Sequence, residues 1–526
     1  MTDRAAEFKL TYSTMFDPPP ELHAQFELAL QAFRRDTMGR DWPQWIGGQA
    51  QPGGALFEVR SPIDQDWLIG RFVQGSVQDV DRAVQAARTA WPAWAAKPWP
   101  ERVALLRRAA RLIEERVYAI SAAVAMEVGK NRMESIGEVQ ETADLIDWYC
   151  DQMEAHDGFD RPLADDPLPK FRSHNRSILR PYGVWAVIAP FNFPFALAGG
   201  PLGPALIAGN TAVFKVSPET SLSGWLLLEC LRDAGLPPGV VNFVTGGDDT
   251  GRALARHDGV AGITFTGSHA VGMQILRHTL QGRYPKPCIV EMGGKNATIV
   301  SRHADIERAA WGILRSAFGL SGQKCSACSR VYVQQPVAEA LRQRLLQLAS
   351  EIAVGDPTEQ AHWMGPVISA AARERYERLC QHLRQVGRID AGGRRLTDGA
   401  LARGFFVAPT VAQAPLQDAA WVDEHFLPVV LVGEVDSVDE GIRLANASDY
   451  GLTAGFYGTL EEVAHFQRHI EAGVTYANRP QGATTGAWPG YQPFGGWKGS
   501  GSTGKAIGSF YYLQQYLREQ SQTVVE

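Results

Sequence analysis

A chain of 526 residues, 45% hydrophobic and 21% charged, can hold two or three domains with large cores and has the composition of a soluble globular protein. Its small net charge of -6 implies no nucleic-acid footprint and argues against attraction to anionic membranes. Six scattered cysteines (150, 230, 288, 325, 328 and 380) and a polar opening without a signal peptide point to free thiols in a reducing cytosol.

The spacing predicts helices from about 78 to 150. Leu106, Ala109, Ile113, Val117, Ile120 and Val124 recur at three and four, with Arg and Glu on the other face. Gly129 followed by Lys130 reads as a helix stop, and a second stripe runs through Ile136, Val139, Ala143 and Ile146. Core packing accounts for all of these.

From Pro181 to Phe214 the chain carries no charge, long enough to cross a bilayer. Pro190, Pro194, Pro201 and Pro204 would break a spanning helix repeatedly, so apolar strands and loops inside a core are expected instead. Beyond the polar segment 158–175, apolar runs at 184–189, 211–216, 240–245 and 262–266 alternate with helix-length segments. The alternation resumes with 297–300, a helix over 305–318, a strand at 331–333 and a helix over 336–353. Strands alternating with helices predict the α/β class, with two doubly wound parallel sheets in tandem and ligands bound at the carboxyl ends of strands in the cleft between them. Residues 482–504 are crowded with glycine but keep Trp and Phe, as in a structured loop near a ligand rather than a linker. The final QSQTVVE is β-prone and could pair with another strand edge.

The segment GQKCSACSR at 322–330 places Cys325 and Cys328 three apart. No second Cys-x-x-Cys or His pair offers further ligands, so no metal site is expected. Redox Cys-x-x-Cys motifs usually open a helix in a small domain. Two inert thiols or one nucleophile remain; a nucleophile needs a base and oxyanion donors elsewhere in the chain.

Six strings in order supply them. GQKCSA at 322–327 resembles the cysteine motif of the aldehyde dehydrogenase superfamily, EMGGKN at 291–296 its glutamate motif and PFNFP at 190–194 its asparagine motif. FTGS at 265–268, EHFLPV at 424–429 and PFGGWKGSG at 493–501 follow the same pattern, and the likeness runs from about residue 40 to the end. The resemblance implies a Rossmann-like NAD-binding domain (1–160 and 182–290), a catalytic thiol domain (291–492) and a β-arm for oligomerisation (161–181 and 506–526) whose C-terminal strand is exchanged between subunits of at least a dimer. It casts Cys325 as the nucleophile, Asn192 as oxyanion donor and Glu291 as the base that activates water, with Cys328 a packed bystander.

No G-x-G-x-x-G is present. The resemblance puts Gly267 and Ser268 at the pyrophosphate, Lys215 at the adenosine ribose, Glu424 at the nicotinamide ribose, and Phe426 and Phe191 near the nicotinamide. The family often has Glu three residues after the lysine; here that position is Pro218, with Glu219 next. A carboxylate near the ribose 2′ position repels a phosphate, which favours NAD while leaving NADP open.

Lys324-Cys325-Ser326 and Thr485-Gly486-Ala487 resemble the branch that oxidises L-glutamate γ-semialdehyde in proline catabolism. There Ser326, Gly486 and Ala487 would hold the carboxylate of the aldehyde, Phe193 and Phe494 its aliphatic part, with Lys324 beside them. Trp488-Pro489 and Trp497 are bulkier than the commonest members carry. Transfer of the acyl group to coenzyme A, a hydrolase using the same thiol, another aldehyde, and a silent scaffold are the competing readings. The intact Cys, Glu and Asn weigh against the last.

Overall fold

The computed structural model describes residues 10–11, 14–15, 18–480 and 488–526. Two seven-stranded sheets form its centre. In the first, Cys288–Met292, Gly262–Gly267, Val184–Ile188, Thr211–Lys215 and Val241–Phe243 run parallel in that spatial order, and Gln44–Ile46 with Gln49–Gln51 add an antiparallel margin. In the second, Thr410–Gln413, Val429–Val435, Cys328–Gln334, Asn296–Val300, Thr453–Tyr457 and Val474–Ala477 are parallel, and Arg388–Ala391 is an antiparallel edge. Thr211–Lys215 and Asn296–Val300 are buried throughout, which explains why both read as unbroken apolar runs rather than alternating ones.

The helical region divides into Val77–Ala96, Trp99–Glu115, Val117–Val128 and Arg132–Ala155. Gly129 stops the third in a left-handed conformation (φ 75°), and a Cβ there would press on Pro366 and Pro62. The uncharged stretch holds a helix, Ala196–Ile207, in the helix-length interval between the strands at 184–188 and 211–215, where the prolines suggest loops. Pro201 and Pro204 sit inside it. Packing overrides propensity here, because every residue of that helix except Leu197 is buried.

Ser173–Pro181 forms a separate three-stranded antiparallel sheet with Asp160–Pro162 and Leu517–Val525. The terminal strand pairs with its own chain's arm from Leu517↔Pro181 to Val525↔Ser173. Among the described residues, no helix is long and apolar enough to cross a membrane.

Candidate active site

Cys325 sits in a turn just before the central strand Cys328–Gln334 of the second sheet. Leu320, Ser321 and Gly322 approach it in succession with left-handed φ of 47°, 54° and 68°. For Leu320 and Ser321 this costs roughly 1–2 kcal/mol each. At Gly322 a Cβ would overlap the Leu427 carbonyl oxygen.

The turn is bonded from several sides. Ser321 Oγ donates to the Gly365 carbonyl at 2.7 Å, and Gln323 Oε1 accepts from Ile368 N at 2.9 Å. Asn296 Nδ2 donates to the carbonyls of Cys325 and Ala327 at 2.7 and 2.9 Å, while its Oδ1 accepts from Thr453 N at 3.0 Å. The thiol is half-buried, with the N–H groups of Cys325 and Ser326 directed at the sulfur. Burial, assisted by the carboxylates of Glu424 and Glu291, outweighs them and pushes the thiol up to about 12.

Asn192 Nδ2 donates to the Gln323 carbonyl at 2.9 Å, which brings the PFNFP segment against the cysteine turn. An amide carries two hydrogens, so one remains for an incoming oxygen. The Asn192 carbonyl accepts from Lys130 Nζ at 2.6 Å. Lys130 is fully buried and pairs with Glu138 at 2.5 Å, and Glu138 Oε1 accepts from Phe195 N and Ala196 N at the start of Ala196–Ile207. A buried ion pair thus caps the helix that follows the asparagine and pins the asparagine's own backbone. Lys130 is therefore more than part of a helix stop.

Glu291 stands near the end of Cys288–Met292, and its Oε2 accepts from Gly496 N at 3.0 Å. Burial pushes its carboxyl up to about 8. The glycine-rich segment wraps it: Met292 N donates to the Ser500 carbonyl at 2.8 Å, and Gly501 bridges to Glu291. A Cβ at Gly496 would press within 2.5 Å on Ser500, so close backbone approach explains the glycines.

Cys325, Glu291 and Asn192 line one cleft of about 730 Å³ that extends to Lys215, Gly267 and Ser268 at its other end. Lys215 Nζ donates to the Val216 carbonyl at 3.1 Å; burial pulls its ammonium down to about 8, opposed by Glu219 and Asp248. Ser268 caps the helix His269–Thr279, its hydroxyl accepting from Val271 N at 3.4 Å. Glu424 Oε1 accepts from Gly294 N at 2.8 Å, and a Cβ on Gly293 would overlap that carboxylate. Phe426, held at φ 59°, meets Phe191 edge-on at 5.9 Å. Phe191, Phe426 and Phe494 all line the cleft.

Other expected site residues lie elsewhere. Lys324 is turned away into a 2.5 Å ion pair with Glu134, so its charge is already matched. Phe193 lies under the Lys130 ammonium, 3.7 Å from ring centroid to nitrogen, outside the cleft wall. Glu219 is exposed, accepts from the Ser217 hydroxyl and does not line the cleft; Asp248 does. Ser326 adjoins Cys325, and its carbonyl accepts from Thr453 Oγ1 at 3.4 Å. Gly486 and Ala487 lie outside the described residues. Trp488 is buried with Nε1 donating to Asp144 at 2.8 Å, and Trp497 is 49% exposed, so neither indole narrows the cleft. Cys328 is buried with its sulfur 3.2 Å from Thr298 Oγ1, a packed position.

Four residues escaped the sequence reading: Lys130, Glu134, Glu138 and Asn296. The acids stand on helices whose charged positions read as solvated, and only burial distinguishes them. Asn296 stood within EMGGKN, and its signal was an amide at the start of an apolar strand.

A cleft joining a held thiol, a buried carboxylate, a side-chain amide and a helix N-terminus is the arrangement of an aldehyde-oxidising site, and the sequence matches accordingly. The aldehyde dehydrogenase family model matches residues 48–522, and the chain belongs to that family. The chain is 35% identical to a 1-pyrroline-5-carboxylate dehydrogenase of Geobacillus kaustophilus over 96% of this chain and 97% of that one. A Staphylococcus epidermidis protein of the same name is 36% identical over 92% of each. A Thermus 1-pyrroline-5-carboxylate dehydrogenase crystallised with bound NAD superposes with a TM-score of 0.91 at 32% identity, covering 99% of both chains.

Proposed function

We propose that the chain oxidises L-glutamate γ-semialdehyde, the open form of 1-pyrroline-5-carboxylate, to L-glutamate with NAD, a step of proline catabolism. The observation that carries this reading is the convergence of Cys325, Asn192 and Glu291 in one cleft with Lys215 and Ser268 at its far end. The relatives' shared name selects the aldehyde.

The residues present fit a dinucleotide. Lys215 is a buried cation whose hydrogen bond goes to the Val216 backbone carbonyl, and Gly267–Ser268 open a helix N-terminus for the pyrophosphate. Glu424 beside Gly293 and Gly294 offers a carboxylate to ribose hydroxyls. When bound, the dinucleotide supplies the hydride acceptor. The adenosine end takes its negative charge from Asp248 in the cleft wall and from exposed Glu219, which supports NAD over NADP.

In the reaction, the Cys325 sulfur, once deprotonated, bonds to the aldehyde carbon while the carbonyl π electrons move to oxygen. The free Asn192 amide hydrogen and the Cys325 N–H hold that oxygen. Each such donor typically lowers the barrier by about 3 kcal/mol. Loss of hydride leaves a thioester on Cys325. Glu291 then takes a proton from water, whose oxygen attacks the thioester carbon and releases the acid with the thiol restored. Because burial holds Glu291 near 8, its ionised fraction, and hence turnover, rises as pH climbs toward and past that value.

Ser326 and the amides of Gly486 and Ala487 are assigned to the substrate carboxylate, and Phe494 to its methylenes. Residues 1–160 with 182–290 form the cofactor domain, and 291–492 the catalytic domain. The enzyme works in the cytosol as a homo-oligomer, with the arm sheet, whose last strand exposes Val524 and Val525, as the contact surface.

Steady-state assays with NAD or NADP, a panel of aldehydes, and coenzyme A present or absent test the reading. Reduction of NAD with the semialdehyde, independent of coenzyme A, is expected. Preference for simple aliphatic aldehydes would refute the substrate, and turnover without a dinucleotide would refute the reaction class.

A further inference from the structure

The cleft wall beside Glu291 is completed by Tyr512, whose hydroxyl ends a hydrogen-bond chain rooted in the core of the first sheet. The chain begins at Trp185, whose indole N–H is a donor only and gives its hydrogen to Thr264 Oγ1 at 2.8 Å. Thr264 Oγ1 lies 3.0 Å from the Tyr516 hydroxyl, and Tyr516 donates to the Tyr512 hydroxyl at 3.2 Å.

A phenol has a single proton. With that of Tyr516 committed to Tyr512, Thr264 must be the donor to Tyr516. Every hydrogen in the series therefore runs one way, from Trp185 toward the cleft. Tyr512 receives a hydrogen and keeps its own to give, and among the described residues no side chain or carbonyl takes it. Its ring is fixed by stacking on Tyr149 at 5.6 Å and by an edge contact with Tyr516 at 5.6 Å.

Glu291 is the complementary partner. It lines the same cleft as Tyr512 and accepts from Gly496 N, and among the described residues no hydrogen bond joins the two side chains directly. Of the other titratable groups that line the cleft with it, Cys325 is the one that interacts electrostatically with Glu291 and brings no positive charge, and Tyr149 and Tyr516 stand behind Tyr512.

We propose that Tyr512 is a positioning residue for Glu291: as the donor end of a one-way hydroxyl chain, it reaches the carboxylate through the attacking water and aims that water at the thioester. This rests on the reading of Glu291 as the hydrolytic base. The polarised chain favours the ionised carboxylate in an otherwise apolar wall. It acts after hydride transfer, so acylation of Cys325 does not depend on it.

Tyr512→Phe keeps the ring and removes only the hydroxyl. The expected result is a retained first burst of reduced dinucleotide of about one equivalent per site. Steady-state kcat should fall about 10- to 100-fold, as for loss of a hydrogen bond to a charged group. The acid limb of kcat should move up by about one pH unit, because losing a donor disfavours the anion. Thr264→Val, which cuts the chain two links back, should move the same limb in the same direction by less, and serves if the first variant does not fold. An unchanged kcat and acid limb in the variant would overturn the proposal, as would a burst lost together with steady-state turnover. Normal steady-state turnover in Glu291→Gln would instead overturn the reading of Glu291 itself, whatever Tyr512 does.

Discussion

The two ends of the cleft are built differently. At the thiol end, the turn carrying Cys325 is bonded by Glu134, Asn296 and the segment 365–368, three separate stretches of chain, and Asn192 is fixed from both its amide and its carbonyl. Around Lys215, the ammonium has one bond to a neighbouring carbonyl, and Glu219 and Asp248 are exposed. Bond making tolerates little displacement of reacting atoms, whereas a ribose or phosphate can be held by charge and helix N-termini with looser geometry. The contrast teaches where substitutions should act on rate and where on binding.

Cys325→Ala tests the tight end most severely. It should reduce turnover by about 10⁴-fold or more with dinucleotide binding preserved, measured by fluorescence titration. Asn192→Ala should lower kcat about 100-fold with little change in KM, since it removes a donor that acts on the developing oxyanion.

Asn296 does not line the cleft, so Asn296→Ala asks whether the turn's rigidity matters. Two buried carbonyls and the Thr453 N–H lose their partner, so kcat should drop about tenfold and Tm should fall by several degrees. A change confined to KM would break the contrast between the ends. Lys215→Ala should give the smallest effect on rate: KM for the dinucleotide rises about tenfold while kcat stays within about twofold.

Much of this molecule was legible from pattern. The runs at 184–189 and 211–216 announced parallel strands of the first sheet, and residues of all six motifs line the one cleft. What stayed hidden depends on burial. Glu127, Glu134 and Glu138 look like charges on the wet side of amphipathic helices, yet each accepts hydrogen bonds from backbone N–H groups of distant segments, at Leu222, Leu320 and Phe195 respectively. No local spacing reveals which acid meets which distant backbone. Lys324 misled for the same reason: its place beside the nucleophile suggested a role in the cleft, while Glu134, 190 residues earlier, takes its charge. The helix at 196–207 fills the helix-length interval between two apolar runs, although its two prolines oppose it by propensity and burial is what stabilises it.

The most direct measurement is mass spectrometry of Glu291→Gln after exposure to glutamate γ-semialdehyde and NAD. The expected result is an acyl adduct on the peptide containing Cys325, accumulating with about one equivalent of reduced dinucleotide and then persisting. An unmodified Cys325 peptide under conditions where reduced dinucleotide appears would contradict covalent catalysis at this thiol.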